Sequence, residues 1–336
     1  MPSQKLLKIS FCTTCMNRVE HLQKTLPKNL IDNADYSQVE FVVLDYNSTD
    51  GLEDWMMQNL QNWQEKVVYF KTLQPQNYAR SHSRNMAFRL ASGDILCNLD
   101  ADNFAGKGFA QYVYEVFDKH SNIYLEARKE NLQDIIGKVC FKKSDFEFIQ
   151  GYDEKIINYG FEDKDLKNRL RKSGLKPIGF SQNKFLKVIT HEDIERIKNE
   201  HFYKNMKQLF VQKISPYHSK ILFVFNDLTF ESADIIDNLY APPTKIHEQI
   251  ENLDALNRFN ILEKSVRKGS FEALPPHFEQ INDESQKMAI INFYSQITNK
   301  GVWIENLDSK IIKVNQSGYG RGIVYRNFDY SNPIQL

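Results

Sequence analysis

Two periods of apolar and polar residues alternate along the first hundred positions. Residues 8–12 (KISFC) read as a short buried strand. Residues 18–30 then place Val19, Leu22, Leu26 and Leu30 three or four apart, the spacing of one helix face. The alternation repeats. Residues 40–44 (EFVVL) predict a second strand, Ser48 to Gly51 break the chain, and a helix follows over 52–63, with Trp55, Met56 and Trp63 on its packed face. Residues 67–72 (VVYFKT) predict a third strand and 79–90 a third helix, ended by Ser92 and Gly93. Residues 94–99 (DILCNL) predict a fourth strand. Strands alternating with crossover helices imply an α/β fold with a parallel sheet, whose ligand groups gather at the carboxyl ends of the strands.

Beyond residue 104 the rhythm changes. A helix is predicted over 108–117, short strands over 123–127 and 138–142, a helix over 164–173 and a strand at 188–191 (VITH). The charged stretch 193–212 predicts one long helix, and Ser215 with Pro216 marks a boundary. Two domains are therefore expected: 1–215, and a C-terminal α+β region over 216–336 that packs on the first. In the second region, 221–225 (ILFVF) reads as a buried strand and 288–297 as an apolar helix. The proline pairs at 242–243 and 275–276 punctuate helical segments, and 301–328 read as β-hairpins turned at Gly318, Gly320 and Gly322.

Composition narrows the class. In 336 residues, 43 Lys plus Arg balance 43 Asp plus Glu, so the chain lacks the basic surplus of a general nucleic-acid binder. At 41% hydrophobic and 12% aromatic residues it can build cores of ordinary size. No apolar run approaches the roughly 18 residues of a membrane span, and the start lacks the pattern of a cleaved signal, so a cytoplasmic protein is expected. Four cysteines do not make a disulfide scaffold. Cys12 and Cys15 form a C-x-x-C at a strand end with no second such pair, which reads as buried free thiols.

The candidate chemistry is acidic. Asp100 and Asp102 stand two apart just past the fourth strand, where both can turn into a cleft and hold a hard divalent cation beside phosphate oxygens. A turn or helix cap would explain either one alone. Glu162, Asp163 and Asp165 cluster after Gly160 at a helix start, more acid than a cap needs, and a carboxylate there can take a proton from an attacking hydroxyl. Eight basic residues between 164 and 187, against Asp165 alone, read either as a solvated helix face or as a patch for a lipid diphosphate or an anionic membrane surface.

In this order the motifs resemble the inverting GT-A glycosyltransferases of the family 2 type. The likeness is to the branch with β-galactosyl- and N-acetylgalactosaminyltransferases and chondroitin-type polymerases. It rests on Phe11 to Thr14 with Asn17 and Arg18, on VLDYNSTD at 43–50, on Ser83-Arg84-Asn85, on LDADN at 99–103, and on FIQGYDE at 148–154 followed by YGFEDKDL at 159–166. It covers residues 8 to about 191. Three positions depart from the family pattern: Tyr78 stands near a usual glycine, Gln150 replaces the first of two glycines, and Phe161 follows Gly160.

The resemblance implies roles for particular residues. Thr13, Arg18 and Asp45 would surround the nucleoside of a UDP-sugar donor, Asp45 accepting from the uracil N3–H. Arg84 would help hold the nucleotide, and Asp100 would contact the ribose. Asp102 would ligate the cation, with His191 as a second ligand that suits Mn²⁺ better than Mg²⁺; the plainer alternative is a surface histidine beside a Thr190 cap. Asp163 would be the general base and Glu162 would orient the acceptor, a glycan or lipid-linked glycan. The implied activity is metal-dependent, inverting transfer of a galactose- or N-acetylgalactosamine-type sugar in surface polysaccharide synthesis, at or near the inner face of the membrane. The rivals are a retaining transferase or nucleotidyltransferase on a similar sheet, and an inactive binding or scaffold protein. The intact Glu162–Asp163 pair speaks against the first, and the joint presence of Asp102, Asp163 and His191 against the second.

Overall fold

The computed structural model describes residues 6–128, 135–192, 194–237, 258–269 and 277–336. The chain divides into two compact units, one formed by 1–155, 162–192 and 306–336, the other by 156–161 and 193–305.

The first unit is built on a mixed sheet with the order β14-β13-β3-β2-β1-β4-β6-β5-β7. Its centre is β3 (Val67–Thr72), β2 (Val39–Tyr46), β1 (Ile9–Cys15) and β4 (Ile95–Asn98), all parallel. The period of two in these strands sorts their side chains to opposite faces. Phe11, Val39, Phe41 and Val43 join the apolar cluster under α1 (Val19–Asp32), α2 (Leu52–Trp63) and α4 (Phe109–Lys119). Cys12, Val42, Leu44 and Tyr46 join the cluster under α3 (Arg80–Leu90), α5 (Lys143–Phe148) and α6 (Glu162–Lys172). Helices on both faces bury a sheet that neither layer could cover alone. The strands β5 (Ile123–Glu126), β6 (Val139–Lys142) and β7 (Lys176–Gly179) extend one side, with β6 antiparallel to both β4 and β5. All four cysteines are free and buried. The α/β class, its flanking helices and the α+β character of the later region match the sequence expectation.

The second unit carries an antiparallel sheet in the order β11 (Phe259–Lys268), β10 (Thr229–Asp237), β9 (His218–Phe225), β8 (Met206–Ser215) and β12 (Glu279–Gln280), and most of a helix of 25 residues, α9 (Glu284–Asp308). Three expectations change here. First, no long helix spans 193–212: short helices α7 (Ile194–Ile197) and α8 (His201–Asn205) give way to β8 (Met206–Ser215), which pairs with β9 (His218–Phe225). Leu209 and Phe210 belong to different apolar clusters, so successive side chains are buried on opposite faces and only a strand serves both. Second, Ser215 and Pro216 lie at the turn of that hairpin, not between domains. Third, α9 runs straight through Gly301, and the terminal hairpin starts later, as β13 (Ile323–Arg326) and β14 (Asp329–Gln335). That hairpin belongs to the first unit, where β13 adds antiparallel to β3. The 188–191 strand shrinks to a single bridge, Val188 to Asn103. The proline pairs at 242–243 and 275–276 lie outside the described residues.

Candidate active site

The carboxyl ends of β1, β2 and β4 meet the start of α3, and the acidic motifs gather there. Arg84, on the first turns of α3, is 2% exposed and binds three carboxylates. Its Nη2 donates to Asp100 at 3.1 Å, and its Nη1 donates to Asp163 at 2.9 Å and to Glu162 at 3.3 Å. Arg80, one turn earlier, reaches Glu162 at 3.5 Å. Burial alone would raise the Asp100 carboxyl, but Arg84, Asn98 and Arg80 outweigh it and hold it below the ordinary range. Glu162 goes the other way, raised by its burial and by the neighbouring Asp163 charge. Two adjacent acids thus sit in different environments, the arrangement that separates acid and base roles.

Gly137, in the turn before β6, closes this cluster. A Cβ there would lie 3.0 Å from Arg84 Nη2, 3.0 Å from Asp100 Oδ2 and 3.2 Å from Asp163 Oδ2. Asp163 Oδ1 is held by Arg84, while Oδ2 accepts no hydrogen bond among the described residues. That oxygen retains the lone pairs a proton acceptor needs.

The second cluster is Asp102 with His191. Asp102 Oδ2 and His191 Nε2 lie 2.8 Å apart, and this hydrogen bond raises the imidazole pKa. The strap carrying His191 lies along the loop carrying Asp102, with Phe104 N–H donating to Lys187 O at 3.0 Å and Ile189 N–H to Asp102 O at 2.8 Å. His21 packs edge-on against His191 at 5.8 Å. From the other side, α1 presents Thr25, Asn29 and Asn33 at intervals of four. Thr25 donates to Ala101 O at 2.6 Å, Asn29 brackets Asn103 O and Ala105 N–H at 3.1 and 2.7 Å, and Asn33 accepts from Ala110 N–H at 2.8 Å. The loop after β4 is therefore a fixed support for Asp102.

A cation fits the chemistry of this pair. An oxygen and an imidazole nitrogen converge at 2.8 Å, close to the roughly 3 Å between adjacent ligands of an octahedral ion with bonds of about 2.1 Å. Two protein ligands leave positions for donor phosphate oxygens and water. Among the described residues, no group of three or more His, Cys, Asp or Glu side chains is placed to hold a metal.

Not every expected residue faces the cleft. Asp45 is fully buried, its oxygens taken by Ser48 N–H and Tyr69 O–H, each at 2.7 Å, with Lys71 at 3.5 Å. It braces the sheet end. Thr13 spends its hydroxyl on Leu99 O at 2.6 Å and likewise holds β1 to the loop after β4. Arg84 is engaged by carboxylates and so organises the acids. Arg18 caps α1 close enough to His191 to act on its charge. The basic run at 164–187 is partly consumed internally. Lys167 donates to Ile136 O, Arg169 pairs with Asp165, Arg171 with Glu126, and Lys172 donates to Asn306 O. Lys164, Arg171, Lys176, Lys184 and Lys187 remain exposed.

The departure at Gln150 falls where the backbone is left-handed. Gln150 and Gly151 have φ of 61° and 77°, left-handed in succession, which is where a glycine pair is favoured. The segment is held from the far end of the chain. Asn315 donates to Gln150 O and Tyr152 O at 2.8 and 2.6 Å, and Asn306 donates to Asp153 and Asp165, each at 2.9 Å. Sequence reasoning missed these two asparagines, along with Arg80, Gly137 and the polar face of α1. Only that face was visible beforehand, as polar residues spaced by four beside Leu22, Leu26 and Leu30.

Residues 10–136, which hold Arg84, Asp100 and Asp102, match the family described as Glycosyl transferase family 2. Residues 125–208, which hold Glu162, Asp163 and His191, match the family described as N-terminal domain of galactosyltransferase. The chain carries a family 2 glycosyltransferase domain. Within this transferase domain both matches end well before residues 306–336, which complete its sheet. No curated protein matches the chain. Among solved structures, the transferase domain resembles the mannosyltransferase PcManGT from Pyrobaculum calidifontis in complex with GDP-Man and Mn²⁺, at 16% identity over 53% of this chain and 55% of that one, TM-score 0.44. It also resembles GalNAc-T7 with UDP, GalNAc and Mn²⁺, at 15% identity over 53% and 43%, TM-score 0.45. A third is S. aureus TarS in complex with UDP, at 16% identity over 52% and 58%, TM-score 0.43. The chain spans about half the length of these structures. Among the described residues no helix is long and apolar enough to cross a membrane.

Proposed function

We propose that the protein is a metal-dependent, inverting glycosyltransferase. It takes a galactose- or N-acetylgalactosamine-type sugar from a UDP-sugar and places it on a hydroxyl of a glycan or lipid-linked glycan, in surface polysaccharide synthesis. The observation that carries this reading is the shared guanidinium: Arg84 joins Asp163, the proton acceptor, to Asp100, two residues from the Asp102–His191 pair.

Asp102 and His191 would hold a divalent cation, Mn²⁺ in preference to Mg²⁺, which supplies positive charge to the departing diphosphate. Asp163 Oδ2 accepts the proton of the acceptor hydroxyl as its oxygen attacks the anomeric carbon. Arg84, fixed on Oδ1, keeps that carboxylate aimed. Glu162, raised by burial and Asp163, offers a protonated or hydrogen-bonding partner to the acceptor. One displacement with one base inverts the anomeric centre, so an α-linked donor gives a β-linked product.

The test is incubation with a panel of UDP- and GDP-sugars, Mn²⁺ and oligosaccharide acceptors, with the product's anomeric configuration read by proton NMR. A β-linked product lost in EDTA supports the proposal. Turnover undiminished by EDTA, or an α-linked product, refutes it.

A further inference from the structure

The transferase motifs leave Lys138 unexplained. It is fully buried just before β6, and among the described residues no carboxylate partners it. Its ammonium donates to Phe104 O at 3.0 Å, Ala105 O at 3.2 Å and Phe185 O at 2.6 Å, and lies 4.3 Å from the centre of the Phe109 ring. Burying a cation this way is costly, and burial pushes its pKa down to about 7. An apolar side chain would avoid that cost unless the three carbonyls needed a common donor.

Those carbonyls belong to two segments. Phe104 and Ala105 follow Asp102 by two and three residues, and Phe185 precedes His191 by six. The segments approach closely at Gly106, where φ is +92° and a Cβ would fall 2.5 Å from Lys184 O. Backbone hydrogen bonds between the segments occur at Phe104 and Ile189, flanking the Asn103–Val188 bridge next to the Asp102–His191 contact. Lys138 is the side chain that spans both.

We propose that Lys138 is a positioning residue for the cation site: its three N–H donors lock the Asp102 loop to the His191 strap and set the spacing of the two ligands. The inference rests on the cation reading above and concerns a residue that touches neither substrate nor metal. Partners lying behind metal ligands typically influence affinity by about 10–100-fold.

The experiment measures Mn²⁺ binding to the full chain in the presence of UDP, by the loss of the free-ion EPR signal, for the parent, Lys138→Met, Lys138→Gln and Asp102→Asn. Lys138→Met removes all three donors and is expected to weaken Mn²⁺ binding by about tenfold or more. At saturating Mn²⁺, kcat should return to within about twofold of the parent, since the reacting groups are intact. Lys138→Gln retains two N–H donors and should fall between the two. If Lys138→Met does not fold, the glutamine variant decides on its own. Parent-like Mn²⁺ affinity in the folded lysine variants, with affinity lost in Asp102→Asn, would overturn the Lys138 assignment and leave the cation reading standing. Unchanged affinity in Asp102→Asn would overturn both. A loss of kcat that persists at saturating Mn²⁺ would also count against positioning and indicate general damage to the fold.

Discussion

Replacing Arg84 with methionine keeps the length of the side chain and removes the one charge that three carboxylates share. Breaking a buried ion pair from one side costs about 3–5 kcal/mol, because the abandoned charge stays out of water. The three acids differ in how stranded they become. The Glu162 side chain is 6% exposed, whereas those of Asp163 and Asp100 are 16% and 29% exposed and can recover part of their hydration. The lower end, about 3 kcal/mol at pH 8, is therefore expected. The loss should depend on pH, with a definite sign. Asp100 is held below the ordinary carboxylate value, so the stability it contributes is present above that value and disappears as pH falls through the lowered one. In Arg84→Met this contribution is missing, and the stranded acids gain stability by taking up protons. The difference from the parent should shrink to roughly half or less near pH 4. Urea unfolding of both proteins at pH 8 and pH 4.5, followed by tryptophan fluorescence, measures it. A loss below about 1 kcal/mol at pH 8, or equal losses at both pH values, would refute the picture of Arg84 as the common counter-ion.

Asp163→Asn should lower kcat by roughly 10²–10⁴ with Mn²⁺-dependent UDP binding unchanged, which calorimetry and a turnover assay can separate. Gly137→Ala pushes a methyl to within 3.0–3.2 Å of Arg84, Asp100 and Asp163; turnover should drop at least about tenfold, while the urea midpoint moves little because those side-chain ends can shift. Asn306→Leu removes the amide that Asp153 and Asp165 share in a buried site, leaving Asp165 to Arg169 and Asp153 to the Lys155 N–H, and should cost about 1–3 kcal/mol in the same urea assay. Gln150→Gly relieves a left-handed residue and should raise thermal stability, by about 1 kcal/mol at most once the flexibility of glycine is counted.

Sequence patterning was a good guide for the continuous apolar runs of β1 to β4, buried on both faces, and for the one-sided apolar spacing of α1 to α4. It failed at Met206–Ser215, whose charged neighbours continue a helical pattern. There, pairing with β9 decides the outcome, and a partner strand is not written in local spacing. The acids were readable as motifs because they fall in two tight pairs, Asp100 with Asp102 and Glu162 with Asp163. Whether an acid's lone pairs are free was not readable. Asp45 lies in a motif as clear as the others, yet Ser48, Tyr69 and Lys71 consume it. Lys138 and Gly137 belong to no pattern at all. Their importance comes from what the fold brings to them from residues 84, 100, 104, 163 and 185.

The pairing of β13 with β3 sets Tyr325 opposite Lys71, and Asn327 accepts and donates across the same edge at Tyr69. On a ribosome, β3 would leave the tunnel long before its partner is made, with the whole second unit still to be synthesised. Closing a loop of some 250 residues costs only modestly more entropy than closing a short one, but it cannot begin early. Until then the outer edge of β3 is an open template for another chain, the situation in which nascent sheets aggregate. A chain released at Ser215 would keep every acid of the site and both family matches, yet would carry that open edge permanently. Translation speed through the second unit, and chaperones that hold the waiting edge, should therefore govern the yield of this protein more than any residue of its chemistry does.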